Sequence, residues 1–264
     1  MSSIATPINN LWCLLPAAGI GQRMATKLPK QYLPLAGKTL IEVTLSRLHL
    51  AFPDAFLVLP LHKDDLWWPA AEQRFLHDYP KAKLITCLGG KERADSVFNG
   101  LNALTALAQA DDWVMVHDVA RPCVTQQDLQ KLYNALQDHP VGGLLAAPVA
   151  DTMKRSQTRK RSQTSTSSIN SPNGHQEVST TVDRNQLWHA LTPQMFRYNK
   201  LQAALTQGLA EGLGLTDESS ALEAAGFKPQ LIIGRRDNIK ITHPEDLPFA
   251  ELLLAHQQTL QERN

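Results

Sequence analysis

Cysteine is scarce in this chain: Cys13, Cys87 and Cys123 are the only three in 264 residues. They are odd in number and far apart, and no C-x-x-C pair exists. That excludes a disulfide framework and a paired-thiolate zinc site, and suits a reduced compartment. Charge of one sign is lacking too. The formal net charge is +1, without the basic excess that marks a nucleic-acid binder. The one dense basic run, Arg159-Lys160-Arg161, is short and reads as a solvated loop. No apolar run reaches the ~18 residues that a membrane span needs. The first ten residues lack the basic and apolar regions of a signal peptide. The expectation is a cytoplasmic protein with neither nucleic acid nor membrane as partner.

What is present is an ordinary globular composition, 43% hydrophobic, in a chain long enough to bury its own core. Strand and helix patterns alternate through the first 150 or so residues. Strands are expected at 11–16, 55–59, 83–88, 113–117 and 143–149. Helices are expected at 39–49, 64–77, 94–108 and 126–137, the second of them broken by Pro69. Further on, helices fall at 199–209, near 217–225 and from Pro244, with a strand at 230–233. This order predicts an α/β fold, a mostly parallel sheet with helices on both faces. Arg155 to Thr181 is rich in Ser, Thr, Gln, Lys and Arg and reads as a disordered stretch.

In such sheets ligands sit outside the carboxyl ends of the strands. The first strand runs into Pro16-Ala17-Ala18-Gly19-Ile20-Gly21-Gln22-Arg23-Met24. Small residues here let the backbone come close to a ligand and aim N–H groups at it, which suits a polyphosphate. Arg23 adds a charged fork and Lys30 a point charge. The loop is not a P-loop, because G-K-[ST] does not follow at the required spacing, and Met24 takes the third glycine position of a dinucleotide fingerprint. Asp118 follows the 113–117 strand. It is either a crevice carboxylate meeting Mg²⁺ or a substrate hydroxyl, or a turn-capping residue. On spacing alone Arg184 reads as a surface charge and Lys240 as a strand-edge charge. His117, His189 and His243 are not spaced as metal ligands, and Asp217 reads as a helix N-terminal acid.

Several stretches in order carry a resemblance. They are Ala17-Ala18-Gly19-x-Gly21-x-Arg23-Met24, Pro29-Lys30-Gln31-Tyr32, Glu92-Arg93-Ala94-Asp95-Ser96, His117-Asp118-Val119-Ala120-Arg121-Pro122, Asp183-Arg184 and the segment to Gln194, Thr216-Asp217-Glu218 and Asp237-Asn238-Ile239-Lys240. The chain resembles the 2-C-methyl-D-erythritol 4-phosphate cytidylyltransferases, within the sugar-phosphate nucleotidyltransferases, over nearly its whole length. The resemblance implies a single Rossmann-like nucleotidyltransferase domain over 1–264. Within it, 150–185 would be a partly disordered arm that protrudes to build a homodimer. Lys91 stands where the family commonly has an acidic residue, and the segment between Met153 and Arg184 is longer than the usual arm.

The implied reaction transfers CMP from CTP to a polyol phosphate and releases pyrophosphate. A phosphate monoester has a second pKa of ~6, so its oxygen is already a nucleophile near neutral pH and needs no general base. The difficulty is bringing two anions together, which calls for positioning and cations. By resemblance, Arg23 and Lys30 stabilise the transition state at the triphosphate. Arg184, reaching from the neighbouring subunit, and Lys240 hold the acceptor phosphate. Ala17, Ala18, Gly19, Gly21, Gly90 and Ser96 surround the nucleotide. Asp118, Arg121, Thr152 and Thr216 line the acceptor pocket. Mg²⁺ rides on the triphosphate, with Asp118 the one candidate protein ligand. The alternatives are a cytidylyltransferase for another polyol phosphate, such as ribitol 5-phosphate, and a non-catalytic nucleotide-binding protein.

Overall fold

The computed structural model describes residues 10–19, 28–158 and 176–261. Arg23, Gly21 and the 159–161 basic run lie outside them. The chain divides into two compact units, one of 1–146 with 190–264 and one of 147–189.

The larger unit starts with β1 (Leu11–Leu14), a 3-10 turn (Lys30–Tyr32), the short β2 (Pro34–Leu35) and β3 (Lys38–Thr39), and α1 (Leu40–Ala51). Next come β4 (Phe56–Leu61), α2 (Trp68–Asp78), β5 (Lys83–Leu88), α3 (Arg93–Ala103), β6 (Trp113–Val116), α4 (Gln126–Leu136) and β7 (Gly142–Pro148). β8 (Met153–Thr158) and β9 (Gln176–Val182) follow in the smaller unit. The chain closes with β10 (Trp188–Arg197), α5 (Tyr198–Ala210), α6 (Glu218–Ala224), β11 (Gln230–Ile233) and α7 (Asp246–Gln261).

Seven strands form the main sheet in the order β11-β7-β10-β6-β1-β4-β5. β1 pairs in parallel with β4 and β6, and β4 with β5. All four residues of β6 are buried, as expected for a strand covered on both faces. Only β10 is antiparallel to β6, with Gln194 opposite Val116. Buried Asp112 ties the base of this sheet together. It accepts from Trp12 Nε1 at 2.9 Å and from the N–H groups of Asn10 and Gln109 at 3.0 Å each.

Some boundaries differ from expectation for clear reasons. Pro69 does not break a helix. It stands in the first turn of α2, where its missing N–H has no partner to lose, and Asp65 accepts the Trp68 N–H at 3.0 Å instead. Pro60 does not close its strand but lies inside β4, giving its carbonyl to the Ala17 N–H. α3 stops at Ala103 in a series of turns rather than continuing to Ala108.

The 155–181 stretch is corrected in part. Its described ends are β8 and β9, paired antiparallel with Met153 opposite Val182 and an irregularity between Arg155 and Ser156. Nearly every residue there is exposed. Backbone pairing, with little apolar burial, is what orders them, and composition alone does not register it.

Candidate active site

A crevice of about 280 Å³ opens in the larger unit where the loops after β1, β5 and β6 meet the segment before α7. Its floor begins at Ala17 and Ala18. The buried Gln31 side chain donates to the Ala17 carbonyl at 2.8 Å, so the 3-10 turn fixes the start of the small-residue loop. The same turn brings Lys30 to the crevice, where its Nζ donates to the Ile241 carbonyl at 3.0 Å.

The glycines of the second loop are sterically required. A Cβ on Gly89 would stand 2.3 Å from the Ala18 Cβ, and one on Gly90 would stand 2.2 Å from the Asp95 Cβ. Gly89 therefore lets the loop after β5 touch the loop after β1, and Gly90 lets the same loop fold back against the first turn of α3. Ser96 accepts the Gly90 N–H at 3.0 Å and donates to the Glu92 carbonyl at 3.1 Å. Gly19 differs: an added Cβ there would meet nothing within 4 Å among the described residues.

Asp118, 8% exposed, lies at the centre of a charge cluster. Its Oδ1 accepts from Arg93 Nε at 2.9 Å. Its Oδ2 is 2.7 Å from Lys240 Nζ and 3.8 Å from Arg121 Nε. Burial alone would push this carboxyl up, but Arg93 and Lys240 prevail and hold it well below the usual carboxylate range. Arg121 donates from Nη1 to the Asn238 carbonyl at 2.7 Å, and the Asn238 amide donates to the Thr192 carbonyl at 2.8 Å. Arg121 Nε and Asn238 Oδ1 are buried without a hydrogen-bond partner among the described residues. The Ile241 N–H donates to the Ala120 carbonyl at 2.8 Å, locking the Lys240 segment onto the loop after β6.

The structure thus gathers Ala17, Ala18, Gly19, Lys30, Gly90, Ser96, Asp118 and Lys240 around one crevice, with Arg121 directly behind Asp118. Thr216 is exposed at the start of α6, where its N–H donates to Ser220 Oγ at 3.1 Å, and it does not line the crevice. Asp217 is the N-cap of α6, accepting the Ser220 N–H at 2.9 Å. Thr152 and Arg184 belong to the smaller unit. Thr152 is exposed beside β8, and Arg184 donates to the Ala150 carbonyl. The spacing of residues did not single out Arg93, Gln31 or Glu218.

A resident metal does not fit this donor set. Both Asp118 oxygens face cations, and no three His, Cys, Asp or Glu side chains gather among the described residues.

The family model for 2-C-methyl-D-erythritol 4-phosphate cytidylyltransferase matches residues 11–256. The chain belongs to the 2-C-methyl-D-erythritol 4-phosphate cytidylyltransferase family. Among relatives bearing that name, the protein of Chromohalobacter salexigens is 50% identical over 249 residues, covering 94% of this chain and 91% of its own. That of Hahella chejuensis is 45% identical over 246 residues, covering 93% of each. The crystal structure of the Francisella tularensis 2-C-methyl-D-erythritol 4-phosphate cytidylyltransferase superposes with a TM-score of 0.69 at 30% identity, covering 93% of this chain and all of the other. The family's reaction is CTP-dependent cytidylyl transfer in isoprenoid biosynthesis, and this cytidylyltransferase has an α/β fold to match. No described helix is long and apolar enough to cross a membrane.

Proposed function

We propose that the crevice binds CTP as its Mg²⁺ complex and passes CMP to 2-C-methyl-D-erythritol 4-phosphate, giving 4-diphosphocytidyl-2-C-methyl-D-erythritol and pyrophosphate. The observation that carries this reading is the convergence of Lys30, the Gly89-Gly90 loop and the Asp118–Lys240 pair on a single crevice. The small-residue loop that begins at Ala17 receives the triphosphate through backbone N–H groups, the Gly89-Gly90 loop gives the nucleotide room, and Lys30 faces the charge that develops as pyrophosphate leaves. Arg23 acts with Lys30 there. Ala17, Ala18, Gly90 and Ser96 contact the nucleoside. Lys240 attracts the acceptor phosphate, and Asp118 with Arg121 orients its carbon skeleton.

A phosphate oxygen attacks the α-phosphorus in line, and the bond to pyrophosphate breaks with its electron pair. No general base is needed, since the attacking oxygen carries its charge beforehand. His117, the buried histidine next to Asp118, is unsuited to that role, because both of its ring nitrogens are hydrogen-bonded. Mg²⁺ would be carried by the triphosphate rather than held by side chains of this crevice, and would offset part of the phosphate charge.

The same reading gives a cytoplasmic homodimer in which Arg184 and Thr152 complete the site of the other subunit. Its support is the family resemblance and the division of the chain at 147–189.

Pyrophosphate release from MgCTP tests the reading, with methylerythritol phosphate and ribitol 5-phosphate offered separately. Release with the first is expected. Release with ribitol 5-phosphate alone would keep the chemistry and change the acceptor. Silence with both, from folded protein that binds CTP, would favour a non-catalytic nucleotide binder.

A further inference from the structure

Arg93 faces the crevice, yet its guanidinium is not free to receive a phosphate. Nε donates to Asp118 Oδ1 at 2.9 Å, Nη1 to Glu218 Oε1 at 2.6 Å and Nη2 to Glu218 Oε2 at 3.0 Å. Glu218 is 1% exposed and opens α6, whereas Arg93 opens α3 and Asp118 follows β6. One rigid fork therefore joins three elements that are far apart in the chain. It also leaves the two oxygens of Asp118 unequal. Oδ1 is committed to Arg93, and Oδ2 is turned to Lys240.

Lys240 is the partner that can leave. Its side chain is 39% exposed, against 27% for Arg93 and 12% for Arg121. Its ammonium is a rotatable point charge on a flexible stem, whereas Arg93 is clamped in a bidentate geometry. Three cations against two carboxylates leave one positive charge in excess in the cluster. That excess draws a phosphate toward its most mobile member.

We propose that Arg93 and Glu218 are a positioning pair that holds Asp118 so that an acceptor carrying both a phosphate and a neighbouring hydroxyl exchanges with Lys240. The phosphate takes the ammonium, and the hydroxyl donates to the vacated Asp118 Oδ2. Neither Arg93 nor Glu218 touches the acceptor. Recognition of a polyol phosphate, rather than of phosphate alone, follows from the exchange, because displacing Lys240 without supplying a donor leaves a buried carboxylate oxygen poorly paired. This inference rests on the proposed placement of the acceptor at Asp118.

The test is a double-mutant cycle read by steady-state pyrophosphate release with methylerythritol phosphate. Arg93→Met is expected to raise the acceptor KM by about 30-fold and leave the KM for CTP within about twofold. In an Asp118→Asn background the same change is expected to alter the acceptor KM by less than about threefold, because the group it positions is already gone. Glu218→Gln keeps the shape of the side chain and removes its charge. It is expected to give a smaller rise, about tenfold, with the same non-additivity, and it decides the matter if Arg93→Met does not fold. Arg93→Lys is not expected to restore the acceptor KM, since one ammonium cannot span both carboxylates. Additive effects across the cycle, or equal losses for CTP and acceptor, would overturn the positioning pair while Asp118 kept its role. An active wild type whose acceptor KM is indifferent to Asp118→Asn would instead remove the acceptor placement, and the pair with it.

Discussion

Thr192 Oγ1 lies 3.1 Å from His117 Nδ1, and the same oxygen accepts the Asp118 N–H at 3.1 Å. The Arg121 carbonyl beside Nε2 can only accept, so in the neutral ring Nδ1 is the acceptor and takes the hydrogen of the threonine hydroxyl. The ring keeps its own hydrogen on Nε2 and donates it to the Arg121 carbonyl at 3.0 Å. A neutral imidazole thus ties both ends of the Asp118–Arg121 turn.

Burial pushes the His117 pKa down to about 4 from its ordinary 6.5. Above pH 6.5 the ring is neutral in folded and unfolded chains alike, and it adds no pH dependence. Below that the unfolded chain takes up the proton first. Stability should fall as pH drops toward 4, by about 3 kcal/mol in all, and level off below. Urea denaturation at pH 7 and pH 5 checks this by comparing wild type with His117→Gln. An equal acid-side loss in the two proteins would show that His117 is not responsible.

Lys30→Ala should lower kcat by about 100-fold or more while the KM for CTP stays within about threefold, as expected when an interaction is strongest in the transition state. Lys30 Nζ already has the Ile241 carbonyl as a partner, so its charge is held in place before CTP binds. A raised KM with unchanged turnover would assign it to ground-state binding instead.

Gly90→Ala should separate the nucleotide loop from α3. The new methyl would fall 2.2 Å from the Asp95 Cβ and 2.9 Å from the Asp95 carbonyl carbon, and the backbone cannot yield cheaply there. A loss of about 1–3 kcal/mol in stability is expected, with at least about tenfold weaker CTP binding by calorimetry. Gly19→Ala is the control, because its methyl meets no described atom within 4 Å and should leave thermal stability unchanged.

If Arg184 serves the neighbouring subunit, two crippled proteins should rescue each other. Lys30→Ala and Arg184→Ala homodimers are each expected to be nearly inactive. A co-refolded mixture should regain activity, because a mixed dimer holds one site with both residues intact. No recovery despite proven mixed dimers would mean that Arg184 acts within its own subunit.

The sheet was readable from the sequence because its strands are short apolar runs punctuated by glycine and proline. The limits expected for β5 and β11 match those observed. β10 was harder to see. It is the antiparallel neighbour of β6, and His189, Thr192 and Gln194 interrupt its apolar pattern. Gln194 is nevertheless buried, since its amide is satisfied by Asp217 and Ser219. In the site, Lys30 was legible as a point charge accompanying the small-residue loop, and Asp118 because it stands just beyond an apolar strand. Arg93 was not. Its importance lies in Glu218, 125 residues away, and spacing carries no trace of such a pairing.

The antiparallel insertion of β10 has a consequence for the chain as it is synthesised. β5, β4, β1 and β6 have one another as neighbours as soon as residue 116 has emerged. β7 does not join them directly, because its place beside β6 belongs to a strand not yet made. Until Trp188–Arg197 leaves the ribosome, Gly142–Pro148 is a wholly apolar strand with both edges open, and the exposed flank of β6 is equally bare. Unpaired edges of this kind are where nascent chains adhere to one another. The interval between β7 and β10 is thus the stage of biosynthesis at which this protein most needs shielding.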